Sequence, residues 1–259
     1  MKGGSIKNEK RIIGVIVILI IAVVGGYMFI STGKKVDVQW TEADYTTAYE
    51  KSSIVVADIE ELNLVTLARG DFTTTGSHPV DTSFTNAEMS ALIDTANANG
   101  GPISDFKVSF NGDNEGEMSF TLTDAFIDFI QEQNMVELKN QKLFAFSSLF
   151  PTASTGNSMT DTVIKIITNV AANKPVYAKG TLMRTSDNSV SINITALQVG
   201  QLPMSEGVIN KVETEVLRFV NTLITSTNGF TIEELRVEDG ALYYKGTLPT
   251  EIQGAKLQP

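Results

Sequence analysis

The chain has 259 residues, 42% apolar and 19% charged, with a formal charge of −10, twenty Gly, seven Pro and no Cys. This composition excludes collagen-like, low-complexity and disulfide-stapled scaffolds, and it leaves enough apolar surface for a core. An acidic chain is repelled by phosphates, which argues against nucleic acid as a partner.

Residues 1–11 form a basic tail with Lys2, Lys7, Lys10 and Arg11 against Glu9. Residues 12–30, IIGVIVILIIAVVGGYMFI, carry no charge over 19 positions. At about 1.5 Å per residue they reach roughly 28 Å, the thickness of a bilayer's hydrocarbon layer. The sequence therefore predicts a transmembrane anchor over 12–31. Four basic residues precede it and Lys34 and Lys35 follow it, which places the N-terminus inside and the rest of the chain outside the cytoplasm. A cleaved signal peptide is the rival reading. The run is long for a signal core and no A-x-A site follows it, so an uncleaved anchor is favoured. From Thr32 onward 16 Lys and Arg face 29 Asp and Glu, so the outer part carries −13.

Residues 32–40 read as a linker and 41–259 as an extracytoplasmic domain, whose one internal boundary candidate is the polar stretch 151–158. Thr41 with Asp44 resembles a capping box and predicts a first helix. Thr85 with Glu88 opens a second, with Met89, Leu92, Ile93 and Ala96 on one face and Gly100-Gly101-Pro102 as its stop. A third begins after Thr123, with Phe126, Phe129 and Ile130 aligned. A fourth runs from about Met159 to Ala172. The longest is predicted from Ser205 to about Thr227. Ile209, Val212, Val216, Phe219 and Leu223 repeat there at 3-4 spacing, and Val208, Leu217, Val220 and Ile224 widen the stripe to nearly half the circumference.

Strand pairs lie between the helices. Phe106, Val108 and Phe110 alternate with polar residues, as do Met118, Phe120 and Leu122, around the turn formers 111–116. Further pairs are 136–138 with 143–146, 176–183 with 190–199, and 230–237 with 242–248, the last around Asp239-Gly240. Helix followed by hairpin thus recurs, with helices starting near 86, 124, 159 and 205. This order predicts an α+β fold: repeated helix–β-hairpin units forming curved antiparallel sheet, packed on long amphipathic helices laid on one face.

Chemistry-bearing patterns are sparse. The chain's one His, His78, sits in a Thr/Ser/Gly loop and reads as a surface residue. There is no G-x-S-x-G elbow. Ser31 and Lys34 fit S-x-x-K and Ser186-Asp187-Asn188 fits S-D-N, but the first lies at the membrane end and the second in a hairpin turn. Lys179-Gly180-Thr181 and Lys245-Gly246-Thr247 have the third element's residues in the wrong order. Without Cys and with one His no zinc cluster is expected. Asn111, Asp113, Glu115 and Gly116 start like a calcium loop, but Leu122 stands where the bidentate Glu belongs. Arg69-Gly70-Asp71 reads as a plain turn, and Asn193-Ile194-Thr195 is a glycosylation sequon inside a predicted strand. Neither an enzyme activity, nor a cofactor, nor a metal is expected.

Four segments carry a resemblance. They are Phe84-Thr-Asn-Ala-Glu-Met-Ser-Ala-Leu-Ile93, Ile192-Asn-Ile-Thr-Ala-Leu-Gln-Val-Gly-Gln-Leu-Pro203, Gly229-Phe-Thr-Ile-Glu-Glu-Leu235 and Asp239-Gly-Ala-Leu-Tyr-Tyr-Lys-Gly-Thr-Leu-Pro249, with the long helix between the second and third. The resemblance they carry extends over about half of the outer part. Together they resemble membrane-anchored extracytoplasmic proteins of Gram-positive bacteria related to tubular lipid-binding (TULIP-like) domains. The resemblance implies a long helix wrapped by a curved sheet, with lipid held by apolar groove residues. The expected function is a non-enzymatic envelope protein that binds lipid or another envelope component, with the membrane as partner. Val212, Val216, Phe219, Val220 and Leu223 are the residues expected to line a groove. The alternative is an interaction scaffold in a cell-wall, division or spore-envelope complex.

Overall fold

The computed structural model describes residues 34–57, 72–98, 101–125, 175–185, 188–200 and 202–254. The expected anchor, the hairpin 136–146, the fourth helix, the boundary at 151–158 and the Arg-Gly-Asp tripeptide lie outside the described residues, as does the third helix beyond its first turn at Asp124. Among the described residues no helix is long and apolar enough to cross a membrane.

Helix α1 (Glu42–Ser52) starts where Asp44 accepts from both the backbone N–H and the hydroxyl of Thr41, each at 2.7 Å. Strand β1 (Val55–Ala57) follows. Strands β2 (Phe72–Thr75) and β3 (His78–Thr85) lead into α2 (Asn86–Asn97). The capping box of α2 is reciprocal: Glu88 N–H donates to the Thr85 hydroxyl at 3.2 Å and Thr85 N–H to the Glu88 carboxylate at 2.9 Å. Strands β4 (Ile103–Gly112) and β5 (Glu115–Leu122) meet at Asp113 and Asn114, both left-handed, the two-residue turn that matches strand twist. Next come β6 (Pro175–Arg184), β7 (Val190–Val199), β8 (Leu202–Pro203) and helix α3 (Glu206–Ser226), then β9 (Thr231–Glu238), β10 (Ala241–Leu248) and β11 (Glu251–Gly254).

The fold is α+β with antiparallel sheets and few helices. One sheet has the order β4-β5-β6-β7-β8, a second β3-β10-β9 and a third β1-β11-β2. The last two are continuous, because β2 runs into β3 and β10 into β11. The shared bend is bridged by Thr250 N–H on the Thr75 carbonyl at 3.0 Å. Gly229 approaches this bend so closely that a Cβ there would meet the Gly76 carbonyl oxygen at 2.2 Å, and its φ of +82° independently favours glycine. Only β1 on β11 pairs in parallel among the described strands. Alternate residues of the sheets point inward, as period-two patterning requires. Phe106, Met118, Val176, Ile192, Leu242 and Tyr244 enter one common core.

α2 and α3 bury residues such as Leu92, Ile93, Val220 and Leu223 in the common core, and both also run beside edges of the described sheet, where side chains at helical spacing satisfy the edge donors. On α2, Asn86, Ser90 and Asp94 accept from the N–H groups of Phe110, Val108 and Phe106 at 2.8, 3.0 and 3.1 Å. Four residues of helix rise about 6 Å and two of strand about 6.7 Å, so the two ladders stay in step. On α3, Glu213 accepts from Ile194 N–H at 2.8 Å, and Asn221 pairs with both N–H and C=O of Val190. The physical reason is that, among the described strands, β4 and most of β7 are edges, and an edge must be paired or covered.

Candidate functional site

Two places come into question as a site: the apolar stripe of α3, which the sequence reading named, and the outward face of the five-stranded sheet that receives the linker.

The stripe is unevenly covered. Val220 is fully buried and Leu223 and Ile224 nearly so, all within the common core. Val212 sits at the core's margin. Val216, like Val208, Ile209, Leu217 and the preceding Met204, is only partly buried against that core. Phe219 lies on the same helix, and its side chain is outside the described residues. Of the five expected groove residues, then, Val212, Val220 and Leu223 belong to the buried core, and Val216 is only partly buried against it.

The second place was not legible as a site. Residues 34–40 cross the outward face of the sheet. Lys34 Nζ donates to Glu117 at 2.8 Å and to the Tyr177 hydroxyl at 2.6 Å, and that hydroxyl in turn donates to Glu117. The same ammonium stands 4.1 Å from the Tyr177 ring centre. Lys35 reaches Asp105 at 2.5 Å, Val36 is buried, and its N–H donates to the Ser119 hydroxyl at 2.9 Å. Trp40 packs against the core, with the Lys107 ammonium 5.7 Å above its ring. Burial works against charge on Glu117 and Asp105, yet hydrogen bonds and nearby lysines outweigh it and hold both carboxyls below their ordinary range. Lys34 is held above its ordinary value: burial opposes this, and bonds to Glu117 and Tyr177 overcome it. Alternation in β5 and β6 marks Glu117 and Tyr177 as outward-facing, but no pattern in the sequence pairs them with a lysine 83 and 143 positions away.

Among the described residues the remaining candidates assemble no reaction centre. His78 is the first residue of β3 and half-buried, not a loop surface residue. Its Nε2 faces the Ser52 carbonyl at 2.8 Å, which requires the proton there, and the buried Nδ1 has no partner. Asn188, from the S-D-N triplet, ties the β6–β7 turn to β9: Oδ1 accepts from Ile232 N–H at 2.6 Å and Nδ2 donates to the Phe230 carbonyl at 3.3 Å. Asn111, Asp113 and Glu115 lie in the β4–β5 hairpin. Among the described residues no three His, Cys, Asp or Glu side chains converge as metal ligands. A cleft of about 330 Å³ lies between β2 and the end of α3, lined by Phe72, Thr73, Thr74, Ser226 and Asn228.

Compared with known proteins, the chain matches no family model, no curated protein and no solved structure.

Proposed function

We propose that this is a non-enzymatic protein of the cell envelope, fixed by residues 12–31 to the membrane with its folded domain outside, and that it binds lipid or another apolar envelope component. The observation that carries the reading is the uneven burial of α3. On a 21-residue helix with an apolar stripe, Val212, Val220, Leu223 and Ile224 are buried, while Val208, Ile209, Val216 and Leu217, with Met204 just before the helix, are only partly buried. Acyl chains are bound by such concentrated apolar surface, where few polar groups are needed. The charge-free run at 12–30 and its basic flanks supply the membrane address. The resemblance to TULIP-like domains points the same way.

The test is extraction of the full-length chain in mild detergent, followed by lipid mass spectrometry. Lipid retained in a fixed ratio to protein is expected, and its loss on replacing Ile209 with Asp. Protein that carries no more lipid than an unrelated single-span control would refute lipid binding. The scaffold reading has one observation in its favour, the closed packing of Val220, Leu223 and Ile224. It predicts specific protein crosslinks in cells and no bound lipid.

A further inference from the structure

We infer that residues 34–40 form a docked strut, and that it holds the outward face of the five-stranded sheet against the headgroups of the bilayer from which the chain emerges. The inference rests on the anchor reading of residues 12–31.

Three observations combine. The first is reach. Ile30 ends the apolar run, and Lys34 is already bound to Glu117 and Tyr177. The groups that Lys34 reaches lie up to a lysine side-chain length and a hydrogen bond beyond its Cα, and four residues of fully extended chain bring that Cα to within at most about 14 Å of the end of the hydrocarbon span. A headgroup layer occupies about half of that. The second is fixation. A free linker of this length would let the domain swing, but four successive attachments remove that freedom: the Lys34 and Lys35 ion pairs, burial of Val36 with its bond to Ser119, and Trp40 against the core.

The third is charge. On this face Lys34, Lys35, Lys107 and Lys179 balance Asp37, Asp105, Glu115 and Glu117. The outward face of the β3-β10-β9 sheet has only Arg236 and Lys245 against Asp81, Glu233, Glu234 and Glu238. Anionic lipid repels excess negative charge, so the balanced face can approach a bilayer that the acidic remainder avoids. Without the linker's own residues the sheet face would carry a net negative charge. The strut therefore neutralises the surface that it brings to the membrane.

Trp40, the chain's one Trp, reports on this directly. The full-length chain is reconstituted into phosphatidylcholine/phosphatidylglycerol vesicles that contain a dansyl-headgroup lipid. Trp40 emission and its energy transfer to dansyl are then measured. One variant is Lys34→Ala with Lys35→Ala. A second inserts about ten Gly/Ser residues between Thr32 and Gly33, a spacer of roughly 17 Å root-mean-square length that leaves the folded part untouched. In the wild type, strong transfer with blue-shifted emission is expected. The spacer should cut transfer several-fold without moving the emission. The double alanine should shift emission to the red and expose residues 34–40 to protease. Equal transfer with and without the spacer would overturn the membrane-facing surface, and unmoved emission in the double alanine would overturn the strut. If the wild type instead washes off the vesicles in carbonate, the anchor reading itself has failed.

Discussion

Asn114 and Val237 pair in both directions: the backbone N–H of Asn114 donates to the Val237 carbonyl at 3.1 Å, and its side-chain Oδ1 accepts from Val237 N–H at 3.2 Å. Asn188 grips the same strand five positions earlier, at Ile232. Both asparagines are left-handed, with φ of 61° and 55°. Asn tolerates that conformation better than other non-glycine residues, and it turns a side-chain amide into a substitute for a neighbouring strand. Two hairpin turns of one sheet thereby close the free edge of another. Asn114→Ala should lose the acceptor and strain the turn, at a cost of about 2 kcal/mol. For a domain of this size that is a fall in Tm of roughly 4–8 °C. Asn114→Gly relaxes the turn but not the lost bond, so about half that loss is expected. Thermal melts of the three proteins decide it, and equal stability of Ala and Gly variants would show that the backbone conformation contributes nothing.

Glu88 is almost fully buried, and Lys51 covers both of its carboxylate oxygens at 2.7 Å while also donating to the Ser83 carbonyl. This ion pair ties α1 to the start of α2. Removing one partner of a buried pair leaves an uncompensated charge, so Lys51→Ala should destabilise by about 3 kcal/mol in urea unfolding. Adding Glu88→Gln to Lys51→Ala should recover part of that loss. A double variant less stable than the single one would mean that the capping role of Glu88, and not its charge, governs stability.

How much of this was legible in the sequence follows from range. Capping at Thr41 and Thr85, the span of α3 and the alternation in β4, β5, β6, β7, β9 and β10 are set by neighbours within a few positions, and the structure contains them. The strands β1, β2 and β11 were missed because they are short and Thr-rich or border the bend. β3 was missed because Pro79 and His78 read as loop. The contact of α2 and α3 with strand edges was not legible for a different reason. Asn86, Ser90 and Asp94 look like the wet side of an amphipathic helix, and an i, i+4, i+8 polar row has the same sequence signature whether it faces water or a strand edge. Only tertiary structure separates the two. Val212, Val216, Val220 and Leu223 were correctly placed on one stripe, but periodicity does not say how deeply each end of a stripe is covered. The hydrogen bonds that Lys34 and Lys35 make join residues at least 70 positions apart, beyond any local pattern.

Docking of the linker should depend on pH in a definite direction. Glu117 and Asp105 are held below their ordinary range: burial works the other way, and the bonds from Lys34, Tyr177, Lys35 and Lys107 prevail. Each such carboxyl stabilises the docked form above its free value and loses that contribution as pH falls through its lowered value. Lys34 is held above its ordinary 10.5, so its contribution is complete below that value and disappears as pH rises through the raised one. Trp40 emission should therefore be flat from about pH 5 to 10 and change at both extremes. Glu117→Gln should weaken the acid transition. A transition centred near neutral pH would contradict these assignments.

The two halves of α3 should separate under mutation. Leu223 is buried in the core, so Leu223→Ala removes contacts that no ligand supplies and should cost about 2–4 kcal/mol. The lipid bound per folded molecule should stay the same. Val208 and Ile209 are only partly buried against that core. Val208→Asp with Ile209→Asp should cost about 1 kcal/mol or little more, because a half-wet position already solvates part of the new carboxylate. Bound lipid should nevertheless fall to the level of an unrelated single-span protein. Urea midpoints and lipid-to-protein ratios measured on the same preparations give both quantities. If Leu223→Ala strips the lipid and the double aspartate does not, the ligand is held by the packed half of the helix, and the division of labour argued from burial is reversed.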